Sequence, residues 1–309
     1  MLFRQLEYFV AVAQERHFAR AAQACYVSQP ALSEAIRKLE RELGLPLIRR
    51  AQNFEGLTPE GEQLAQWARR LLADRDSMEL QAAALREGLS GRLRLGVIPG
   101  AVTAVAALID RFCADRPQVQ LDLATGLQSA EVLERIRRFE LDAGLIYPRG
   151  LDTTGMVVTG LYREQLVLIG HTDLIRDDDT PPSAAQEAPW DRIAGLPLCL
   201  LHPGMRGRDL IDDAASAAGV HLDPRIEADS IAALIALIWT GRWASIVPQA
   251  WLDTLAVPPE ITTCPLAAGP QGPAGPLGTR VALVRADADP APVLTAAFER
   301  EALLTAAGT

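Results

Sequence analysis

The 309-residue sequence predicts an α/β protein: a small all-α helix-turn-helix module and one long helix, followed by a two-lobed α/β unit. Three observations lead there. The stretch His17–Leu43, HFARAAQACYVSQPALSEAIRKLEREL, holds two amphipathic helical patterns joined by a short polar break. Residues 59–89 keep one helical pattern with no internal breaker. Beyond Arg92, short apolar runs alternate with helical ones, the mark of a largely parallel sheet covered by helices.

Leu2, Leu6, Phe9, Val10 and Ala13 predict a first helix over Leu2–Ala13. Phe18, Ala21, Ala22 and Cys25 predict a second, which Tyr26-Val27-Ser28-Gln29-Pro30 interrupts. Ser28 suits the N-cap of a third, because its hydroxyl accepts an orphan backbone N–H, and Pro30 in the first turn forfeits an N–H that would be unpaired anyway. Leu32, Ile36, Leu39 and Leu43 form one stripe of that helix, while Ser33, Glu34, Arg37, Lys38 and Arg41 lie off it. A short helix, a tight turn and a polar-faced second helix form the unit whose second helix enters the major groove of DNA. A solvated helical hairpin would show the same periodicity, so the flanks matter. Gly44–Arg50 leads into Asn53–Thr58, short enough for a two-stranded wing, and Thr58-Pro59-Glu60-Gly61-Glu62 caps the next helix.

In that long helix Leu64, Trp67, Leu71, Met78 and Leu85 approximate a seven-residue repeat, interrupted at Asp74 and Gln81. It fits a dimer seam, or a surface helix packed on its own module. Gly88-Leu89-Ser90-Gly91 ends it as a hinge. Strands are expected at Leu93–Ile98, Val119–Ala124 and Asp142–Tyr147, with helices at Val102–Asp115 and Ser129–Phe139 between them. A second set follows: strands at Gln165–Gly170, Leu196–His202, Arg225–Ala228 and Ala244–Val247, and helices near Asp209–Ala218 and Ser230–Trp239. A strand at 279–285 and a helix at 292–305 close the chain. Arg176–Pro189 reads as an acidic solvated loop, and the Gly-Pro-X triplets of Gly269–Leu277 are too few for a collagen helix.

The length exceeds what one core supports. The net charge of −9 is unevenly spread: residues 1–58 carry eight basic and six acidic side chains, +2, against −11 for the remainder. Cys25, Cys113, Cys199 and Cys264 lie far apart, with no C-x-x-C and no histidine at metal spacing, which fits reduced, packed thiols. A thiol redox sensor at Cys199 is the sharper alternative, but no second cysteine lies near it in sequence. His17, His171, His202 and His221 belong to no catalytic motif, and neither G-x-S-x-G nor a P-loop occurs, so no enzyme, metal or cofactor is expected. Arg4 and Glu7 break the first apolar run and Ile231–Trp239 is too short to span a bilayer, so a cytoplasmic protein without a membrane partner is expected.

The run from RQLEYFVAVA through RAA, VSQPALS, IRKLE, ELG and LTPEG resembles the LysR-type transcriptional regulators across the first sixty residues without a gap. The element order of the second half, with LRLGVIP, LDAGLIYP and ASIVP, resembles the type 2 periplasmic-binding-protein fold that this family carries as its effector domain. The resemblance implies a winged helix-turn-helix at 1–58, a linker and dimerisation helix at 59–90, and an effector domain at 91–309, with lobe I at 91–161 and 266–309 and lobe II at 162–265. It implies double-stranded operator DNA, a small-molecule effector and further copies of the chain as partners. Pairing runs through the linker helix and tetramer formation through the effector domains. RNA polymerase is left open as a further partner, and a ligand-independent DNA-architectural protein as a remoter reading.

By the same resemblance Gln29, Pro30, Ser33 and Glu34 begin the recognition helix behind the cap Ser28. Glutamine bonds adenine N6 and N7, serine serves either base type, and proline offers apolar contact to a thymine methyl. Glu34 departs from the arginine or glutamine of many relatives; a carboxylate accepts from cytosine N4 and repels phosphate. Arg37, Lys38 and Arg50 suit phosphates, with Arg50 near the wing and the minor groove. Pairing of Arg37 and Lys38 with Glu34 or Glu40 is the alternative. In the α/β half, ligands sit at strand carboxyl ends, where helix N-termini present free N–H groups. The candidates are Gly100, Thr103, Ser129, Tyr147, His202, Arg206 and Ser230. Ser129 and Ser230 serve equally well as helix caps. Helix starts at Val102, Ser129, Gly207 and Ser230 facing one cleft favour a small organic anion.

Overall fold

The computed structural model describes residues 1–50, 54–175, 187–267 and 277–307. They divide into two compact units, Met1–Leu89 and Ser90–Thr309.

The first unit runs α1 (Phe3–Glu15), α2 (Phe18–Ala24), α3 (Gln29–Leu43), β1 (Ile48–Arg50), β2 (Phe54–Leu57) and α4 (Pro59–Glu87). Leu6, Phe9 and Val12 of α1 share one core with Ala21 and Ala22 of α2 and with Leu32, Ile36 and Leu39 of α3. Side chains close the helix starts. His17 Nδ1 accepts from the N–H of Ala19 at 3.2 Å, and Ser28 Oγ from that of Ala31 at 3.4 Å. Thr58 Oγ1 accepts from Gly61 N–H at 2.9 Å and donates to the Pro46 carbonyl at 2.6 Å. A Cβ at Gly61 would meet the Leu47 carbonyl, so glycine lets α4 start against the chain entering the wing. β1 and β2 pair antiparallel, Ile48 opposite Leu57. Only the start of α4 is buried, at Gly61, Ala65 and Ala68.

The second unit opens with β3 (Gly91–Val97), a 3-10 turn at Pro99–Ala101, α5 (Val102–Ala114), β4 (Val119–Thr125), α6 (Ser129–Arg137), β5 (Ala143–Ile146) and β6 (Met156–His171). It continues with α7 (Thr172–Ile175), α8 (Trp190–Ala194), β7 (Cys199–Leu201), α9 (Arg206–Ala217), β8 (Ile226–Ala228), α10 (Ile231–Ile238) and β9 (Ser245–Pro248). It ends with α11 (Gln249–Leu252), β10 (Ile261–Pro265), β11 (Gly278–Ala286) and α12 (Val293–Ala307).

In the first lobe β3 lies parallel between β4 and β5, and β11 lies antiparallel between β5 and β6. Phe112 of α5 and Phe298 of α12 meet edge-to-face, 5.2 Å between ring centres. β6 serves both lobes. Its first part pairs with β11 as far as Gln165, and its last residues lie between β9 and β10. The expected lobe division at 161/162 cuts this strand. β7 pairs parallel with β8 and joins the second lobe's sheet at the bridge Leu198–Ala244. β10 and the short helices α7, α8 and α11 were not foreseen from the sequence. Residues 176–186 and 268–276, most of the two expected loops, lie outside the described residues, as does Asn53 of the expected wing. No described helix is long and apolar enough to cross a membrane.

Candidate nucleic-acid interface and inter-lobe cavity

On α3 the stripe Leu32, Ile36 and Leu39 is fully buried, which turns the opposite face outward. Ser28, Gln29, Pro30, Glu34, Arg37 and Lys38 are exposed there and Ser33 is half-buried. Glu34 gathers the positive charge of this face. Arg41 Nη2 donates to Glu34 Oε1 at 2.8 Å, and Arg37 Nη1 lies 3.7 Å from Oε2. All three side chains are open to solvent, so each pair contributes under about 1 kcal/mol, and phosphates can compete for both arginines. Glu40 accepts from the N–H groups of Leu47 and Ile48 at 2.9 and 3.2 Å, fixing the turn into the wing. Arg50 ends β1; its side chain lies outside the described residues.

In the second unit a cavity of about 30 Å³ lies between the lobes. That is room for about two waters. Gly100, Ser129, Tyr147 and Arg206 line it together, among apolar neighbours such as Leu127, Met205 and Ile231. Thr103, His202 and Ser230 lie outside this lining. Thr103 Oγ1 is buried in the first turn of α5 without a hydrogen bond. His202 points outward, 3.9 Å from Glu227, and Ser230 caps α10 by position without a side-chain bond. Ser129 serves as a tie rather than a cap: its Oγ accepts from Tyr147 N–H at 3.2 Å, joining the start of α6 to the end of β5. Arg206, at the first position of α9, has a buried Nε with no hydrogen-bond partner among the described residues. Trp251 Nε1 donates to the Pro99 carbonyl at 3.1 Å, a contact of the second lobe with the first-lobe loop beside the cavity.

Behind Gly100 and Tyr147 lies a carboxyl the sequence reading missed. Glu164 of β6 is buried, accepts a hydrogen bond from the Tyr147 hydroxyl, and leaves Oε1 buried without a bond. Tyr162 approaches the same carboxyl without reaching hydrogen-bond geometry. Burial pushes Glu164 up to about 7, overriding the neighbouring tyrosines, which pull the other way. Burial, and then the Glu164 charge, pushes both phenols up. A Cβ at Gly100 would meet the Tyr147 hydroxyl and the Glu164 carboxyl, so this loop is glycine by close approach. The available signal was strand alternation, which puts Tyr162 and Glu164 on one face of a strand. Arg208 was missed likewise: almost fully buried, it donates to the Leu201 carbonyl at 2.8 Å and to Glu227 and Asp212 at 2.9 Å, holding α9 on β7 and β8.

The Cys199 thiol is not poised for reaction. Cys199 is fully buried, its Sγ is 3.6 Å from the Ala244 carbonyl, and burial pushes the thiol up to about 11. Between β7, which carries Cys199, and β10, which carries Cys264, lie β9 and β6. Three strand spacings amount to about 14 Å, twice the reach of a disulfide, about 7 Å between Cα atoms.

Two family models match the chain: the LysR substrate binding domain over residues 86–303, and the bacterial regulatory helix-turn-helix protein of the lysR family over residues 3–62. The chain belongs to the LysR family of transcriptional regulators. This LysR-type regulator is 31% identical over 252 residues to the HTH-type transcriptional regulator EstR of Acinetobacter baylyi, covering 81% of each chain. It is also 31% identical over 261 residues to the DNA-binding transcriptional dual regulator OxyR of Escherichia coli K12, covering 84% of this chain and 81% of that one. Among solved structures, a full-length OxyR variant from Pseudomonas aeruginosa superposes with a TM-score of 0.75 at 25% identity, over 98% of this chain and 95% of that one. Full-length CbnR, solved with its target DNA, shares the fold, with a TM-score of 0.66 at 22% identity over 99% and 100% of the two chains. The LysR-type regulator is thus a DNA-binding transcriptional regulator with an effector-binding domain, and not an enzyme.

Its Glu34 supplies a first prediction. Glu34→Gln releases Arg37 and Arg41 and removes a charge that repels phosphate. Binding to random-sequence duplex DNA should tighten several-fold, and log K should fall more steeply with log salt, by up to about two released ions. Fluorescence anisotropy between about 50 and 200 mM salt measures both. An unchanged slope would mean that neither arginine meets the backbone.

Proposed function

We propose that this LysR-type regulator binds a two-fold DNA site as a dimer held by α4, with tetramer formation through the effector-binding units, and that a small organic anion between the lobes sets its activity. Gln29, Pro30, Ser33 and Glu34 then face base edges behind the cap Ser28, and Arg37, Lys38 and Arg50 face phosphates. The observation that carries the effector reading is Arg206. A guanidinium Nε is buried and, among the described residues, unpartnered at the lining of the inter-lobe cavity that Gly100, Ser129 and Tyr147 also line. An unsatisfied donor on a charged group costs about 1–3 kcal/mol or more, which a carboxylate would recover. The cavity has room for about two waters, so a larger anion needs the lobes to move apart, and the bond from Trp251 to Pro99 is one contact that such movement would strain. Ligand binding then biases the regulator only by favouring one lobe arrangement over the other.

The test is calorimetry and thermal shift with a panel of metabolite carboxylates on wild type, Ser129→Ala and Arg206→Ala. Arg206→Ala should weaken the hit by at least about tenfold, the loss of one charge-assisted hydrogen bond. A cationic or apolar hit, or an anion indifferent to both substitutions, overturns the pocket.

A second reading, a thiol redox-sensing regulator, has the relatives on its side. Several carry the name hydrogen peroxide-inducible genes activator, and as far as similarity reaches they favour it over the anion reading. Cys199 is the residue that reading needs, and its burial and distance from Cys264 mean that oxidation must follow local opening of β7. Alkylation mass spectrometry and DNA binding before and after peroxide separate the two readings. A response to micromolar peroxide in wild type that is lost in Cys199→Ser establishes the redox reading and removes the need for an effector. Peroxide-indifferent DNA binding removes the thiol.

A further inference from the structure

α2 ends on a backbone motif that ordinarily calls for glycine. Val27 N–H donates to the Ala22 carbonyl at 3.0 Å and Tyr26 N–H to the Gln23 carbonyl at 3.1 Å, the paired bonds of a Schellman turn. Tyr26 takes the left-handed position of that turn, at φ +55°. A Cβ is crowded there, which is why glycine, or sometimes asparagine, is the usual occupant. Packing does not explain the tyrosine. Tyr26 is 96% exposed, while its neighbours Cys25 and Val27 pack on the helix-turn-helix core. The chain therefore holds a large aromatic side chain in an unfavourable backbone state and, among the described residues, leaves it open to solvent.

Its place in the fold names the partner. Tyr26 stands two residues before Ser28, the cap of α3, on the turn from which the recognition helix departs. When the first residues of α3 read base edges, the turn before the cap lies at the lip of the groove, where the phosphates run. We infer that the Tyr26 hydroxyl donates a hydrogen bond to a DNA backbone phosphate flanking the bases faced by Gln29 and Ser33. The two turn bonds fix the backbone, so the phenol leaves the turn in a preset direction. A tyrosine hydroxyl is neutral, so the contact adds affinity without adding to the counterions released.

The experiment uses the full chain with two duplex probes: one of random sequence, and one selected from a random pool by the wild-type protein. Tyr26→Phe should weaken both by the same factor, about tenfold or more, the loss of one hydrogen bond to a charged group. The salt dependence should stay unchanged, unlike that of an arginine variant. Tyr26→Gly suits the left-handed turn, so its first unit should melt at or above the wild-type temperature while DNA binding falls at least as far as in Tyr26→Phe. Weak binding in a more stable variant is an outcome that damage to the fold cannot produce. Unchanged binding of Tyr26→Phe to both probes overturns the inference and leaves the ring for a protein partner. A loss confined to the selected probe also overturns it, since that would make Tyr26 a base reader.

Discussion

Leu71→Asp should break the pairing through α4, leaving no more than the dimer joined through the effector-binding units, and weaken binding to DNA carrying two half-sites by about a hundredfold or more, with the helix-turn-helix still folded. From Trp67 on, α4 keeps Trp67, Leu71, Met78 and Leu85 in contact with solvent, an apolar series spaced by four, seven and seven residues on a helix whose buried residues, Gly61, Ala65 and Ala68, all lie at its start. Leu64 and Leu72 pack on the helix-turn-helix core, and Leu71 does not. A charge at position 71 therefore spares that core. It would place an unpaired carboxylate in the seam of a dimer, which is far more costly than the lost leucine contact. Two winged modules tethered by such a seam convert the second half-site contact into an intramolecular event, commonly a gain of about 10²–10⁴ that modules no longer paired through α4 forfeit. Sedimentation at micromolar concentration measures the assembly, anisotropy the binding, and the melting of the first unit supplies the control. A variant whose assembly matches that of the wild type would move the paired surface off α4.

The first unit was legible because its signals are local. A stripe at helical spacing and capping hydroxyls at Ser28 and Thr58 fix α3 and α4 within one or two turns of chain, and Leu32, Ile36 and Leu39 of the predicted stripe are buried, while its last member, Leu43 at the end of α3, is exposed. The second unit is legible as an order of elements and much less so as a site. β10 was missed because ITTCP buries little besides Ile261 and carries neither a clear alternation nor a long apolar run. Arg206 and Arg208 lie two residues apart, about 200° around a helix, so one turns outward from the sheet when the other turns inward. Which one does so depends on the Leu201 carbonyl and Glu227, contributed by β7 and β8. The tie from Ser129 to the Tyr147 N–H spans eighteen residues and belongs to the end of the interior strand β5, not to the helix start that first drew attention to Ser129. Glu164 gave only the weak signal of a charged residue in a strand. Its importance comes from Gly100 and Tyr147, which other elements bring against it.

Glu164→Gln should stabilise the effector-binding unit at neutral and alkaline pH and remove a pH dependence that the wild type shows between about 4.5 and 7. The carboxyl is held above its ordinary 4.5 because the ionised form is buried beside Gly100. In that window the folded chain keeps a proton that the unfolded chain has lost. Stability therefore falls as pH rises from the ordinary value through about 7, and levels off above it. The full difference corresponds to about 3 kcal/mol. The amide has no charge to bury, and its oxygen still accepts from the Tyr147 hydroxyl, so the wall of the cavity is kept. Denaturant unfolding of the second unit's transition at pH 5 and pH 8 reads the effect. The wild type should lose stability between the two, whereas the glutamine variant should not, and the variant should be the more stable protein at pH 8. A pH slope that survives the substitution would assign the titration to another group. If both proteins behaved alike at pH 8, the ionised carboxylate would carry no burial cost, and the lobe-crossing strand would have to admit water to Oε1, where the structure shows a closed wall.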